Sequence, residues 1–298
     1  MKKYSCAFVL ASGILWGLIG VFVNNLSDSG FTRMQITVIR MSVATVALGV
    51  YMLLREKKDF KIRLRDLWCF LGTGLASILL LNITYFYSIE QNGMSVAAVL
   101  LYTSPVFVML MSAVLFKEKL TAKKIAVLPL VIAGCVLVTG LAESFLGASV
   151  NTVGILMGIA SGFAYALYSI FGRYALDKGY SCYTISFYSF AFSAAAAIPF
   201  SGFSANLHLF SDVKNILLSL GLGIISCVLP YIFYTKGLEG TENSKAAVIA
   251  TVEPVTAAVV GILLFKESVT AAKLAGMVLI LLGIVMLNIN FSKKSKQI

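Results

Sequence analysis

Charged residues are scarce in this 298-residue sequence. Lys, Arg, Asp and Glu make up 12% of it, about half the share typical of soluble domains, while 59% of the residues are apolar and mean hydropathy is +0.92. This composition excludes an ordinary soluble enzyme and a disordered chain. The five cysteines, odd in number and mostly inside apolar runs, exclude a disulfide-built secreted module. A polytopic helical membrane protein is the class that fits.

Several kinds of chemistry are also missing. The only histidine is His208, with no set of metal ligands near it, so we expect no metal site. No glycine-rich phosphate-binding loop with its lysine occurs, which argues against ATP drive, and we expect no cofactor. The net charge of +11 comes from residues in short loops between apolar runs. It therefore indicates orientation in a membrane, and we expect no nucleic-acid partner.

Long apolar runs dominate the rest of the chain. A helix needs about 20 mostly apolar residues to cross a bilayer. Ten such runs occur, which predicts an all-α integral membrane protein with ten transmembrane helices at 4–24, 34–54, 68–88, 96–116, 124–141, 153–173, 183–202, 215–236, 245–265 and 273–290. The first run is too long for a typical signal peptide and shows no clear cleavage site, so we interpret it as a membrane helix.

The positive residues predict the orientation. With a cytoplasmic N-terminus, nineteen of the 24 lysines and arginines fall on the cytoplasmic side, four fall outside, and Arg40 lies within the second helix. This distribution follows the positive-inside rule. We therefore expect a multi-pass protein of the plasma membrane with both termini in the cytoplasm.

The two halves of the sequence resemble each other. A shift of 149 residues places Tyr85 on Tyr234, Glu90 on Glu239 and Pro105 on Pro254, and about a third of the positions between 81 and 134 are identical. The predicted repeats are 1–149 and 150–298, with five helices each. Because five is odd, the second repeat enters the membrane from the opposite side. Such inverted repeats are typical of secondary transporters, although a duplicated bundle without transport would share the pattern.

The stretch from Tyr85 to Glu118 and its copy from Tyr234 to Glu267 resemble the drug/metabolite transporter superfamily, in its EamA family. The most specific feature is Glu253-Pro254-Val255 followed by Phe265-Lys266-Glu267. The resemblance covers nearly the whole chain. It implies a carrier of amino acids, nucleosides or other small metabolites, often outward, with a cavity lined mainly by helices 1, 3, 4, 6, 8 and 9. Ser104 stands at the position equivalent to Glu253, so the first half lacks the acid.

Glu253 is the main candidate for substrate binding and for coupling. Eight residues at ~1.5 Å each place it ~12 Å inside the ninth helix, where a carboxylate is costly unless it faces water, a partner or a proton. Pro254 and its counterpart Pro105 are predicted helix kinks, which would free backbone carbonyls for ligand contact. Alternatively, Glu253 only stabilises the kink. Arg40, ~10 Å inside the second helix, forms either a structural contact or a site for substrate charge.

Aromatic residues recur at helical spacing and suggest a cavity wall with a few polar anchors. The interfacial aromatic belt and bundle packing are alternatives. The predicted substrate-binding residues are Trp16, Asn82, Tyr85, Tyr102, Tyr165, Tyr168, Tyr231, Tyr234 and Glu253.

We therefore expect a secondary active transporter that works by alternating access, is proton-coupled or an exchanger, and carries amino acids or related metabolites, with export as one direction. The alternative is a channel or receptor-like bundle without coupled transport. An intramembrane enzyme is disfavoured, because one midplane Glu has no His or Asp near it. Gly276 and Gly283, seven residues apart, would serve a helix contact or a homodimer.

Overall fold

The computed structural model describes residues 4–141 and 151–288, and within these ranges every regular element is helical. Lys2, Lys3, Lys293, Lys294 and Lys296, which the orientation prediction uses, lie outside the described residues. The α-helices before the gap are α1 (Ser5–Gly17), α2 (Ile19–Asp28), α3 (Arg33–Arg55), α4 (Leu67–Leu71), α5 (Leu80–Leu101), α6 (Ser104–Leu115) and α7 (Ala122–Val138). Those after it are α8 (Thr152–Asp177), α9 (Cys182–Ala197), α10 (Val213–Gly223), α11 (Leu229–Leu238), α12 (Asn243–Ala250), α13 (Val252–Phe265) and α14 (Ala271–Asn288).

Eight helical segments in these ranges are long and apolar enough to cross a membrane. The predicted number of ten is not confirmed by length and composition, because the third and fourth predicted helices are divided differently. Leu64–Leu101 is one helical run of 38 residues, α6 has only 12 residues, and α7 has 17. A helix of n residues is ~1.5n Å long, so α6 alone is too short for a crossing.

The run Leu64–Leu101 reverses direction at Gly93, whose φ of 81° and ψ of 166° are not helical. A Cβ atom placed on Gly158 of α8 would lie 2.8 Å from both Ser88 Oγ and Leu100 Cβ. On a continuous helix, residues 88 and 100 would be ~18 Å apart. The segments before and after Gly93 therefore run side by side against α8.

Local conformations repeat at the spacing of 149 residues. Gly30 and Gly179 both have a positive φ, and so do Lys117 and Lys266. Hydroxyl side chains at equivalent positions, Thr32 and Ser181, or Thr121 and Thr270, accept hydrogen bonds from backbone N–H groups in the first turns of α3, α9, α7 and α14. The duplication seen in the sequence is thus also a duplication of turns and helix starts.

Two helices are interrupted at equivalent places. Tyr102 and Thr103 separate α5 from α6, and Thr251 separates α12 from α13. Pro105 and Pro254 follow these interruptions closely. Because proline has no backbone N–H, the carbonyl oxygens four residues earlier, at Leu101 and Ala250, have no helical donor.

Glycines of neighbouring helices cover both of these carbonyl groups. A Cβ placed on Gly13 of α1 would lie 2.8 Å from the Ala250 oxygen, and one on Gly162 of α8 would lie 3.1 Å from the Leu101 oxygen. Close backbone approach of this kind supports Cα–H···O contacts. The freed carbonyls therefore face a packed helix, whereas the sequence suggested ligand contact.

The glycine stripe of α14 packs inside the chain. A Cβ on Gly276 would lie 2.6 Å from the Gly134 oxygen, and one on Gly283 would lie 2.5 Å from Val131 Cγ2. Both neighbours belong to α7. A homodimer would therefore need a surface other than this stripe.

Contacts between loops divide into two sets, which define two faces of the bundle. On the first face, Lys178 pairs with Asp66 at 2.7 Å, and Glu118 accepts hydrogen bonds from the N–H groups of Asn243 and Ser244. On the second face, Asn206 donates to the Gly30 carbonyl and Asn92 donates to the Asn151 carbonyl, while Gln35 donates to the Gly202 carbonyl. Each predicted cytoplasmic loop in these contacts lies on the first face, and each predicted external loop lies on the second.

The glycine contacts at the interruptions can be tested by alanine substitution. Gly13→Ala and Gly162→Ala are expected to lower the thermal unfolding midpoint of the detergent-purified protein by several degrees, because overpacking against backbone typically costs about 1–3 kcal/mol. Gly20→Ala, close by in α2, is the matched control, since a Cβ there meets nothing within 4 Å. Equal midpoints for all three variants would show that neither glycine is needed for the close approach of the helices.

Candidate functional site

A cavity lies between the two helix interruptions. It is lined by three tyrosines, a carboxylate, three hydroxyl-bearing or small residues at the interruptions, a serine of α8 and the apolar side of α6, α8 and α12: Tyr102, Ser104, Val108, Tyr165, Ala166, Ser169, Tyr234, Ala247, Ala250, Thr251 and Glu253. Its empty volume is about 330 Å³, part of it open to solvent.

The Glu253 carboxylate is the acidic group of the cavity wall. It is half-buried at the start of α13, and the Tyr165 hydroxyl donates a hydrogen bond to its Oε2 at 3.2 Å. Tyr102, at the other interruption, also lines the cavity. Ser104, the equivalent of Glu253 in the first half, lines the same cavity. The two interruptions therefore present one charged and one neutral residue to a shared space.

An aromatic cluster packs around Trp16. Its ring centroid lies 6.0 Å from that of Tyr165, 5.3 Å from that of Tyr231 and 5.4 Å from that of Tyr234. The Tyr168 ring is 4.9 Å from the Tyr231 ring at an interplanar angle of 77°. Edge-to-face packing of this kind stabilises aromatic pairs beyond their buried area. The cluster thus gives the cavity a rigid wall.

Two tyrosine hydroxyls of this cluster have hydroxyl partners. Tyr168 Oη lies 3.0 Å from Thr235 Oγ1, and Tyr234 Oη lies 2.7 Å from Ser169 Oγ. The buried phenol groups are therefore satisfied by hydrogen bonds, as buried polar groups usually are. These contacts connect α8 to α11 and fix the orientation of the rings.

Arg40, half-buried on α3, hydrogen-bonds to a neutral side chain. Its Nη2 donates to Asn82 Oδ1 at 3.1 Å, an oxygen that also accepts from the Thr37 hydroxyl at 3.3 Å. The Arg40 Nε is buried and has no hydrogen-bond partner in the described ranges. None of the ion pairs found there includes Arg40.

The structure brings together most of the residues chosen from the sequence. Tyr102, Tyr165, Tyr234 and Glu253 line the cavity, and Trp16, Tyr168 and Tyr231 pack against these tyrosines. Asn82 contacts Arg40 instead of the cavity wall. Tyr85 is not among the lining residues, and its ring packs against Phe86 at 6.3 Å.

Three polar lining residues were missed in the sequence. Ser104 and Thr251 lie at the interruptions, and Ser169 lies one turn beyond Tyr165 on the same side of α8. The spacing of four residues from Tyr165 to Ser169 was a usable signal, since residues i and i+4 share a helix face.

The EamA-like transporter family model matches this chain twice, at residues 3–140 and at residues 152–289. The chain belongs to the EamA-like transporter family. It is accordingly a multi-pass membrane transporter and not an enzyme. The two matches agree with the repeat seen in the sequence and in the helix starts.

Relatives extend over the whole length of this EamA-like transporter. A protein of Archaeoglobus fulgidus named an uncharacterized transporter is 29% identical over 284 residues, which cover 95% of each chain. The pseudopaline exporter CntI of Pseudomonas aeruginosa is 25% identical, with 94% of this chain and 97% of that protein covered. A crystal structure with 15% identity superposes with a TM-score of 0.79 over 97% of this chain and 98% of that one, which shows the shared fold.

The Arg40–Asn82 contact leads to a stability prediction. Asn82→Leu removes the acceptor from a buried guanidinium, so we expect a loss of about 1.5–3 kcal/mol and a lower thermal unfolding midpoint. Asn82→Asp supplies a charged acceptor at the same position and is expected to keep the midpoint near that of the parent protein. If both variants unfold at the same temperature, Asn82 does not hold Arg40 in place.

Proposed function

We propose that this EamA-like transporter is a secondary active transporter of small zwitterionic metabolites, with amino acids and related compounds as its substrate class and export as its direction. The observation on which the proposal depends most is the Glu253 carboxylate in an aromatic cavity between two interrupted helices. Arg40, whose Nε is buried without a hydrogen-bond partner in the described ranges, is the second charged group that supports it. A carboxylate suits a substrate amine or a proton, and a guanidinium suits a substrate carboxylate. The name of the pseudopaline exporter supports the export direction.

Alternating access between two inverted five-helix repeats, 1–149 and 150–298, is the proposed mechanism. Two features support ten crossings: the reversal of the chain at Gly93 and the sorting of the loops into two faces. Interrupted helices with a binding site at the interruption are typical of such transporters. The distribution of lysine and arginine supports a cytoplasmic first face, with both termini on that side of the plasma membrane.

The aromatic residues suit selection by shape. The rings of Trp16, Tyr165, Tyr231 and Tyr234 offer apolar surface against which a small ligand can pack. We propose direct substrate contact for Tyr102, Tyr165, Tyr234 and Glu253. Trp16, Tyr168 and Tyr231 would form the wall behind them, with Asn82 acting through Arg40.

A channel is the second candidate function, because a polar cavity inside a bundle also suits passive flux. The first experiment separates the two. Purified protein in liposomes preloaded with a metabolite extract is tested for compounds that exchange, by mass spectrometry, with and without an imposed pH gradient. Selective counterflow supports the transporter. Flux that follows only the gradient of the permeant compound would contradict it and favour the channel.

Glu253→Gln tests the coupling residue. We expect at least a tenfold loss of exchange driven by the pH gradient, because the amide neither binds a proton in this range nor attracts an amine. Glu239→Gln is the matched control, because Glu239 is exposed at the end of α11 and its substitution removes the same charge. Both variants should insert and purify like the parent protein. Unchanged rates and unchanged pH dependence in Glu253→Gln would exclude this role.

Arg40→Gln tests the other end of the substrate. We expect it to weaken competition by amino acids much more than competition by the corresponding decarboxylated amines, since only the former have a carboxylate for the guanidinium. The measurement is the concentration of each competitor that halves exchange of the labelled substrate. An equal effect on both classes would assign Arg40 a structural role only.

A further inference from the structure

The Glu118 carboxylate joins the loop after α6 to the start of α12 on the first face of the bundle. It accepts hydrogen bonds from the backbone N–H groups of Asn243 at 2.7 Å and Ser244 at 3.1 Å, and from the Ser244 hydroxyl. These N–H groups begin α12 and would otherwise lack partners. Asn243 and Ser244 are both buried. A charged acceptor on buried donors makes this contact, here called the Glu118 contact, a strong one.

Positive residues surround the Glu118 contact. Lys124 Nζ lies 3.8 Å from Glu118 and 2.6 Å from Glu242. Arg173, near the end of α8, donates to the Asn243 side chain and to the Thr241 carbonyl. The contact therefore joins the loop after α6 to α12 and, through Arg173, to α8. Ala247, which lines the cavity, lies only one turn beyond it.

The second repeat contains the same loop with the same backbone. Lys117 and Lys266 have φ values of 56° and 53°. The Glu118 N–H donates to the Ser112 carbonyl at 3.2 Å, and the Glu267 N–H donates to the Gly261 carbonyl at 3.1 Å. The Glu118 and Glu267 side chains therefore extend from the same backbone turn in the two repeats.

The helix that Glu118 contacts also has a counterpart. Residues 243–250 form α12, and the shift of 149 places residues 94–101 on them, the segment of α5 that follows the break at Gly93. Ser244 corresponds to Ser95, so even the hydroxyl that donates to Glu118 is repeated.

The equivalent contact is not formed on the second face. The Glu267 side chain is 51% exposed and pairs with Lys273 at 2.8 Å, whereas the Glu118 side chain is only 9% exposed. Met94 is 59% exposed, and in the described ranges Ser95 forms no side-chain hydrogen bond. The loop backbones match, but Ser112 stands where the second repeat has Gly261, and a Cβ on Gly261 would lie 2.8 Å from the Glu267 carboxylate carbon.

We propose that Glu118 and Glu267 are a pair of gating residues that exchange their states during transport. In the present state Glu118 caps α12 and closes the first face. In the opposite state Glu267 caps the segment that begins at Met94 and Ser95, and Glu118 is released. This inference rests on the proposed alternating access and adds the residues that stabilise each end state. Since each contact exists in one state only, it shifts the equilibrium between the states.

A cysteine reporter behind the Glu118 contact tests the exchange. Ala247→Cys is introduced with the five native cysteines replaced by serine, and its labelling by an impermeant maleimide is measured from the first face. Glu118→Gln should raise the labelling rate about tenfold, because it weakens the closed first face. Glu267→Gln should lower the rate about tenfold, because it weakens the opposite state. Glu239→Gln removes a carboxylate on the same face and should leave the rate unchanged.

Opposite shifts in the two variants support the pair, since a merely structural role would not give opposite signs. Shifts in the same direction, or none, overturn it. The labelling readout needs no substrate, so it is independent of the transport assay. If the labelling rates show no opposite shifts while the parent protein still performs pH-driven exchange, only the gating pair is refuted. If the parent protein shows no selective exchange, the proposed function is refuted instead.

A second measurement covers the case in which Glu118→Gln does not fold. Ser95→Cys combined with Ser268→Cys leaves Glu267 in place and should be cross-linked by a short bifunctional thiol reagent, because the proposal brings these two loops together in the opposite state. The same cysteine pair with Glu267→Gln is the control and should react about tenfold more slowly. Equal cross-linking with and without Glu267, or no cross-linking in either, contradicts the proposal.

Discussion

Backbone hydrogen bonding in a water-free environment is the constraint on which this structure depends. Each unpaired polar group in a bilayer is costly, so a helix can be interrupted only where protein satisfies the freed groups. Pro105 and Pro254 free the carbonyls of Leu101 and Ala250, and the close approach of Gly162 and Gly13 covers them. The two interrupted helices are therefore stabilised where α1 and α8 cross them at glycine, and the cavity lies between the interruptions, α8 and α11.

The charged side chains inside the bundle are stabilised differently from the backbone carbonyls. Glu253 accepts a hydrogen bond from the Tyr165 hydroxyl and Arg40 donates one to the Asn82 amide oxygen, so each charged group is bonded to a neutral partner. A direct ion pair would satisfy both groups but would leave neither for a substrate. Neutral hydrogen bonds offset part of the desolvation cost and are easily exchanged for a charged ligand. Without a direct ion pair, Glu253 and Arg40 contribute less to the stability of the fold than a paired arrangement would. This is consistent with a role in binding a charged ligand.

Much of this organisation could be predicted from the sequence, because it follows local rules. The repeat and the interruptions before Pro105 and Pro254 depend on spacing and proline chemistry. The grouping of Tyr165 with Glu253, the covering of Ala250 by Gly13, the contact of Arg40 with Asn82, and the exclusion of Tyr85 from the cavity wall depend on how helices distant in sequence pack. Glu118 is the clearest case. Its loop repeats in both halves, but the contact that buries it joins residues 125 positions apart, which no local pattern encodes.

The departure from symmetry at Ser104 has a consequence for coupling. An exact repeat would place two carboxylates on one cavity of about 330 Å³, where like charges would raise the cost of ionising both. Because the first half has Ser104 at this position, Glu253 is the single carboxylate available in both states of the proposed transport cycle. Under the proposed mechanism, the same Glu253 then binds and releases its proton or amine on each side, and at most one such charge moves per cycle. The glutamates that remain duplicated, Glu118 and Glu267, lie in loops at opposite faces, where their charges are far apart and each can contact a helix start in turn.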